Sequence, residues 1–60
     1  MEIILDRIKL LNPERITVDD ICQSFQISRI KARTLCEMAI TEGIFKSQKE
    51  NNIEFYILIR

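Results

Sequence analysis

Residues 17–45, TVDDICQSFQISRIKARTLCEMAITEGIF, decide the fold. Their pattern predicts a helix, a tight turn, a second helix and the beginning of a strand. Ser28 has the character of an N-cap for the second helix, and it is followed at once by Arg29, Lys31 and Arg33. Cations at a helix N-terminus oppose the macrodipole by about 0.3 kcal/mol or more each, so folding alone does not favour them. A helix start that contacts phosphate does favour them, because the dipole and the cations attract the same anion.

Within this stretch, three positions fix the local geometry. Thr17 is the expected N-cap of the first helix, with Asp20 at the N3 position as a shortened capping box. Ile27, in the turn, should point into the core. Gly43 supplies the left-handed residue that ends the second helix. The buried faces predicted from the 3.6-residue period are Val18, Ile21, Cys22 and Phe25 on the first helix, and Ala32, Leu35, Cys36, Ala39 and Ile40 on the second.

Ile30 is an apolar residue among polar ones at the start of the second helix. Two interpretations are equally good. It is either a peripheral core residue or a side chain that contacts a thymine methyl group in a major groove.

Upstream, residues 2–11, EIILDRIKLL, predict an additional helix, which Asn12–Pro13 terminates. Its core stripe consists of Met1, Ile4, Leu5, Ile8 and Leu11. Ile3 and Leu10 lie seven residues apart, off the centre of this stripe. They either broaden the core face or form a second apolar surface for a partner or for a second copy of the chain. Residues 14–16 form the connector to the next helix, and Arg15–Ile16 is a candidate short strand within it.

Downstream, residues 44–49 and 53–59 predict two strands joined by a two-residue turn at Asn51–Asn52, since Asn tolerates positive φ. The resulting register places Lys49 opposite Glu54, Ser47 opposite Tyr56 and Phe45 opposite Leu58.

The alternation of the last strand suggests which hairpin face is buried. Ile53, Phe55, Ile57 and Ile59 fall on one face, which we expect to be the core face. The other face then carries Phe45, Tyr56 and Leu58. The first helix or the connector covers that side, or a partner does.

Composition narrows the functional classes. The chain has 60 residues, zero net charge, no His, one Gly and two cysteines. So short a chain leaves little room for an enclosed pocket, and its serines lack a usual base partner, so we expect a binding protein rather than an enzyme and no cofactor. Too few ligands are present for a zinc site. The N-terminus does not have the pattern of a signal peptide and no stretch has the length of a membrane span, so we expect a cytoplasmic protein.

The predicted order is three helices and a two-stranded β-hairpin, an α+β winged helix-turn-helix. We expect a single domain over residues 1–60, with helix 1 at 2–11, the helix-turn-helix at 17–43 and the wing at 44–59. Such a fold would place against double-stranded DNA the residues Ser28, Arg29, Ile30, Lys31, Arg33, Thr34, Glu37, Lys46, Lys49, Asn51 and Asn52. The predicted partner surface consists of Ile3, Leu10, Phe45, Tyr56 and Leu58. A winged helix that binds only proteins is the alternative, and zero net charge favours it.

The chain resembles the small winged-helix regulators of fimbrial operons, the PapI and FaeA-like proteins. The resemblance rests on the ungapped segment 17–45, on the Ala32–Arg33 pair and on the aromatic-rich last strand, FYILI. It implies a transcriptional regulator of pilus genes that acts with the leucine-responsive regulatory protein at GATC-containing sites, where adenine methylation sets the on and off states. Arg33 is the residue that the resemblance most directly assigns to DNA reading. Thr34 and Glu37 depart from it, since relatives can carry bulky apolar residues there.

Overall fold

The computed structural model of the protein describes residues 2–60 and confirms the α+β, winged-helix arrangement. Three helices precede an antiparallel hairpin, which we call the wing: α1 (Glu2–Leu11), α2 (Val18–Phe25), α3 (Arg29–Thr41), β1 (Phe45–Glu50) and β2 (Ile53–Leu58). Between residues 2 and 60, no helix combines the length and the apolar character needed to cross a membrane.

The helix-turn-helix has the predicted caps. The Thr17 hydroxyl accepts from the Asp20 N–H at 3.1 Å, and the Asp20 carboxylate accepts from the Thr17 N–H at 3.0 Å, which completes the capping box. Gln26 ends α2 in the left-handed region, at φ 53°. The Ser28 hydroxyl then caps α3 by accepting from the Lys31 N–H at 3.1 Å. The turn is thus closed by local hydrogen bonds, which fix where α3 starts.

The end of α3 is a Schellman motif. Gly43 has φ 76°, its N–H donates to the Ile40 carbonyl at 3.1 Å, and the Ile44 N–H donates to the Ala39 carbonyl at 2.8 Å. The left-handed residue at Gly43 confirms the prediction and turns the chain directly into β1.

The wing has the predicted register. Phe45 lies opposite Leu58, Ser47 opposite Tyr56 and Lys49 opposite Glu54. Both turn residues, at positions 51 and 52, have positive φ, at 52° and 64°, as a two-residue hairpin turn requires.

The predicted facing of the wing was wrong. Phe45 and Tyr56 are 1% and 3% exposed and lie in the core, with their rings 6.2 Å apart. Leu58 packs against the same cluster. Ile53 and Ile59, which were expected inside, are 50% and 51% exposed. The alternation itself was correct, but β1 has one large apolar residue, Phe45, and its side decides which face turns inward.

The connector pairs with the free edge of β2. The Ile16 N–H donates to the Tyr56 carbonyl at 2.9 Å, and the Tyr56 N–H donates to the Ile16 carbonyl at 2.7 Å. This isolated antiparallel bridge places β2 between β1 and the connector. The predicted strand at Arg15–Ile16 is therefore present as a single bridge at the edge of β2, while the helices of the core cover the face that carries Phe45, Tyr56 and Leu58.

The core is one cluster formed by all five elements, and its buried members are Leu5, Ile8, Val18, Ile21, Ala32, Leu35, Cys36, Ala39, Phe45 and Tyr56. The exposed fractions of Leu11 (72%) and Ile40 (39%) contradict their assignment to the core. The buried stripe of α1 is centred on Leu5 and Ile8, and a step of about 100° per residue carries Leu11 away from it. Met1 was assigned to the same stripe and lies outside the described residues. Cys22, Phe25 and Ile27 are half-buried at the edge of the cluster.

Candidate nucleic-acid interface

The outward face of α3 is a stripe of uncharged and acidic side chains. Its buried side is formed by Ala32, Leu35, Cys36 and Ala39. At about 100° per residue, the side chains directly opposite are those of Ile30, Thr34 and Glu37. All three are exposed. Ile30 is 79% exposed, which excludes a peripheral core role and leaves its methyl groups available for an external contact.

The cations of α3 lie on the two flanks of this stripe rather than on it. Arg29 and Arg33 line the groove between α3 and the wing. Lys31 lies on the opposite flank, since two residues advance the helix by about 200°. A stripe of uncharged and acidic side chains with cations on both sides matches the cross-section of a major groove, in which base edges lie between two phosphate backbones.

The groove between α3 and the wing brings together residues from α2, α3 and both strands of the wing, and it contains both basic and acidic side chains. Its basic side chains are those of Arg29, Arg33 and Lys49, and its acidic ones are those of Asp19 and Glu54; Asn52 lies at its rim on the wing turn. The basic residues were predicted from the sequence, whereas the two acidic ones were not.

Arg29 is not a free cation. Its guanidinium forms an ion pair with the Asp19 carboxylate, in the first turn of α2. Both side chains remain exposed, at 63% and 59%. Asp19 was predicted only as a residue that suits the α2 dipole. Its second role depends on how the turn folds α3 back against α2, and no sequence pattern carries that information.

Glu54 is also engaged. The Tyr56 hydroxyl donates to the Glu54 Oε1 atom at 3.2 Å. Burial, together with the charge of the Glu54 carboxylate and this hydrogen bond, raises the pKa of the Tyr56 phenol to about 12. Burial, followed by the charge of Glu54, likewise raises the pKa of the Cys36 thiol to about 12. Both groups are therefore neutral at physiological pH and serve the core.

The wing tip divides the remaining predicted residues between two faces. Lys49 lies on the α3 side of the hairpin, and Asn51 and Asn52 form its exposed turn. Lys46 pairs with Ile57, one position out of phase with Phe45, so it lies on the face directed away from α3. The structure therefore does not bring Lys46 together with the α3 cations.

The outer face of the wing is the one that carries Ile53, Phe55 and Ile57, and the side chain of Arg15 lies against it. Its guanidinium carbon lies 4.1 Å from the centre of the Phe55 ring, and its Nη1 atom lies 3.4 Å from the Glu50 carboxylate. This cation–π contact attaches the connector to the wing. This role of Arg15 is not predictable from sequence, because its partners are close only after the hairpin and the Ile16 bridge have formed.

The predicted partner surface divides into two parts. Phe45 and Tyr56 are buried, and Leu58 is half-buried against the core, so these three do not form an exposed surface. That assignment was wrong for the same reason as the facing of the wing. Ile3 and Leu10 are 71% and 86% exposed. They form a patch on α1, the helix that contributes none of the groove residues.

Cys36 is buried, Cys22 is half-buried, and both thiols are free. Within the part of the chain that the structure describes, no three residues of the types His, Cys, Asp or Glu are grouped as a metal site requires.

Comparisons of the chain with protein-family models, with curated proteins and with solved structures gave no match.

Proposed function

We propose that this winged helix binds double-stranded DNA as a transcriptional regulator, with α3 in the major groove and the wing tip on the adjacent backbone. The observation that carries the proposal is the exposed stripe of Ile30, Thr34 and Glu37 between the cations of the two α3 flanks. The central side chains would contact base edges, with Ile30 and the Thr34 methyl suited to thymine and Glu37 to the cytosine amino group. Lys31 and Arg33 would contact phosphates on either side.

The same features argue for weak binding by the isolated protein. The net charge is zero, and Arg29 is already paired with Asp19. About three to five phosphate contacts are available from the remaining cations and the wing turn, so log K should fall with log salt with a slope of about −2.7 to −4.5. A regulator of this kind would act beside a second DNA-binding protein. The resemblance to PapI and FaeA-like regulators makes the leucine-responsive regulatory protein, fimbrial promoters with GATC sites and a location at the nucleoid the specific form of the proposal.

The test uses two double variants that remove the same charge. Lys31→Ala with Arg33→Ala removes one cation from each flank of α3, and Lys9→Ala with Arg60→Ala removes two exposed cations that lie outside the groove. Affinity for a GATC-containing duplex, methylated or unmethylated, is measured by fluorescence anisotropy over a range of salt concentrations. The α3 variant should bind more weakly, with a salt slope shallower by about 1.8, since each lost phosphate contact contributes about 0.9.

The control variant should retain most of the affinity and slope. Equal losses in the two variants would assign the effect to overall charge and overturn the proposed interface. Binding that does not depend on salt would overturn it as well. Adding the leucine-responsive regulatory protein tests the resemblance separately: a complex more stable than either binary complex supports that partner, and independent binding removes it.

A protein-interaction module is the second candidate, and the outer face of the wing favours it. Ile53 is 50% exposed, and Phe55 and Ile57 are half-buried on the same face. If this face rather than α3 carries the function, Ile57→Ser should abolish binding of the partner protein to the immobilised domain, while the α3 double variant has no effect.

A further inference from the structure

Helix α1 presents a second apolar line on the side opposite the core. Leu5 and Ile8 are buried, whereas Ile3 and Leu10 are 71% and 86% exposed. Seven residues span nearly two helical turns, so Ile3 and Leu10 lie within about 20° of each other around the helix axis. They form a narrow line that no other element within residues 2–60 covers.

Two opposite charges flank this line. Asp6 lies on the side of α1 that faces α3, in a groove with Leu35 and Met38. Arg7 lies on the other side of the line, since one residue advances the helix by about 100°. Both are exposed, and the ion pairs found among the described residues involve neither of them. The surface thus has an apolar centre with Asp6 directly on one side and Arg7 directly on the other, and Lys9 and Glu42 line the groove beyond Asp6.

We propose that this surface binds a second copy of the chain, with the two α1 helices side by side and parallel about a two-fold axis. A two-fold axis along the helices brings each side of one helix against the opposite side of the other. Asp6 of each copy then faces Arg7 of the other copy, once on each flank, while Ile3 packs on Ile3 and Leu10 on Leu10. An antiparallel pair brings like sides together, with Asp6 near Asp6 and Arg7 near Arg7, and is repulsive. The two charges therefore favour a second copy of the chain as the partner and a parallel orientation of the two α1 helices.

The size of the surface sets the strength. Helix α1 has ten residues and is about 15 Å long. Such a contact falls well below the roughly 800 Å² per partner of a stable interface. The association is therefore weak, with a dissociation constant on the order of 0.1–1 mM. It becomes effective when two copies are already held near each other, since a tether or shared scaffold raises their local concentration.

Sedimentation equilibrium of the full chain tests the proposal without DNA, over about 10 µM to 1 mM protein. The wild-type protein should form dimers at the upper end, and added salt should weaken them. Leu10→Gln should weaken dimerisation by about tenfold or more, because both copies lose a central apolar contact. Leu11→Gln is the matched control: Leu11 is 72% exposed but lies about 100° from Leu10, so dimerisation should be retained.

Charge exchange tests the direction of the helices. Asp6→Arg alone should weaken the dimer, because both flanks then carry two facing cations, and adding Arg7→Asp to the same chain should restore it. A wild-type protein that is monomeric throughout overturns the proposal. So does a dimer that strengthens with salt and is not restored by the exchange, or one that Leu11→Gln weakens as much as Leu10→Gln does. Far-ultraviolet circular dichroism of each variant verifies the fold.

Discussion

Replacing Asp19 with Asn should increase affinity for DNA. Asp19 forms an ion pair with Arg29 at the start of α3, on the groove that also holds Arg33 and Lys49. A phosphate that approaches this groove must compete with the Asp19 carboxylate for the guanidinium and is also repelled by it. The amide of Asn has nearly the same shape and removes both effects.

The exposure of the pair limits the size of the gain. The two side chains are 63% and 59% exposed. Pairs of this kind contribute about 0.2–1 kcal/mol, so releasing Arg29 should raise the affinity by about 1.5- to 5-fold. One additional phosphate contact should also steepen the salt slope by about 0.9. Because Asp19 lies in the first turn of α2, the same change should lower the free energy of unfolding by about 0.3–1 kcal/mol. Binding and stability should therefore move in opposite directions.

Fluorescence anisotropy at several salt concentrations measures the affinity, and urea unfolding measures the stability. Glu42→Gln is the matched control, since it removes one exposed acid from the other end of α3, about 20 Å away. An affinity that falls or stays constant in Asp19→Asn would refute the reasoning. An equal gain in Glu42→Gln would reduce it to an effect of net charge.

The remaining predictions concern the fold and are all measured by urea unfolding. Gly43→Ala should destabilise by about 1 kcal/mol, because φ is 76° although a Cβ would meet no atom within 4 Å; equal stability would contradict the strain. Phe45→Leu should destabilise by about 1 kcal/mol or more and Ile53→Leu by much less, and the reverse order would contradict the observed facing of the wing. The pKa values of Cys36 and Tyr56 are raised in the folded state, so stability should be constant below about pH 9 and decrease toward pH 12; Tyr56→Phe should make the decrease smaller.

Local signals predicted most of the fold. The caps at Thr17, Ser28 and Gly43 were readable because each depends on a residue type within a few positions of a helix end. The turn at Asn51–Asn52 fixed the register of the wing in the same way. Secondary structure and pairing in so short a chain depend largely on such local chemistry.

Facing and ion pairing could not be predicted in this way. Both faces of β2 carry large apolar side chains, so the alternation along the sequence separates the two faces but does not indicate which of them is buried. The decision depends on Phe45 in β1 and on the bridge from Ile16, a contact between distant parts of the chain. The pairs Arg29–Asp19 and Arg15–Glu50 depend on tertiary structure for the same reason. The sequence therefore predicted the positions of the α3 cations but not the ion pair that Arg29 forms with Asp19.

The two backbone hydrogen bonds between Ile16 and Tyr56 have a mechanical consequence. Ile16 immediately precedes Thr17, whose capping box starts α2, and Tyr56 lies in the middle of β2. The middle of β2 is therefore hydrogen-bonded to the residue that precedes the α2 cap, so we expect a movement of the hairpin to be transmitted to the start of the helix-turn-helix. The exposed turn at Asn51 and Asn52 lies beyond both this bridge and the contacts of Arg15 with Phe55 and Glu50, so we expect it to move more freely than the rest of the hairpin.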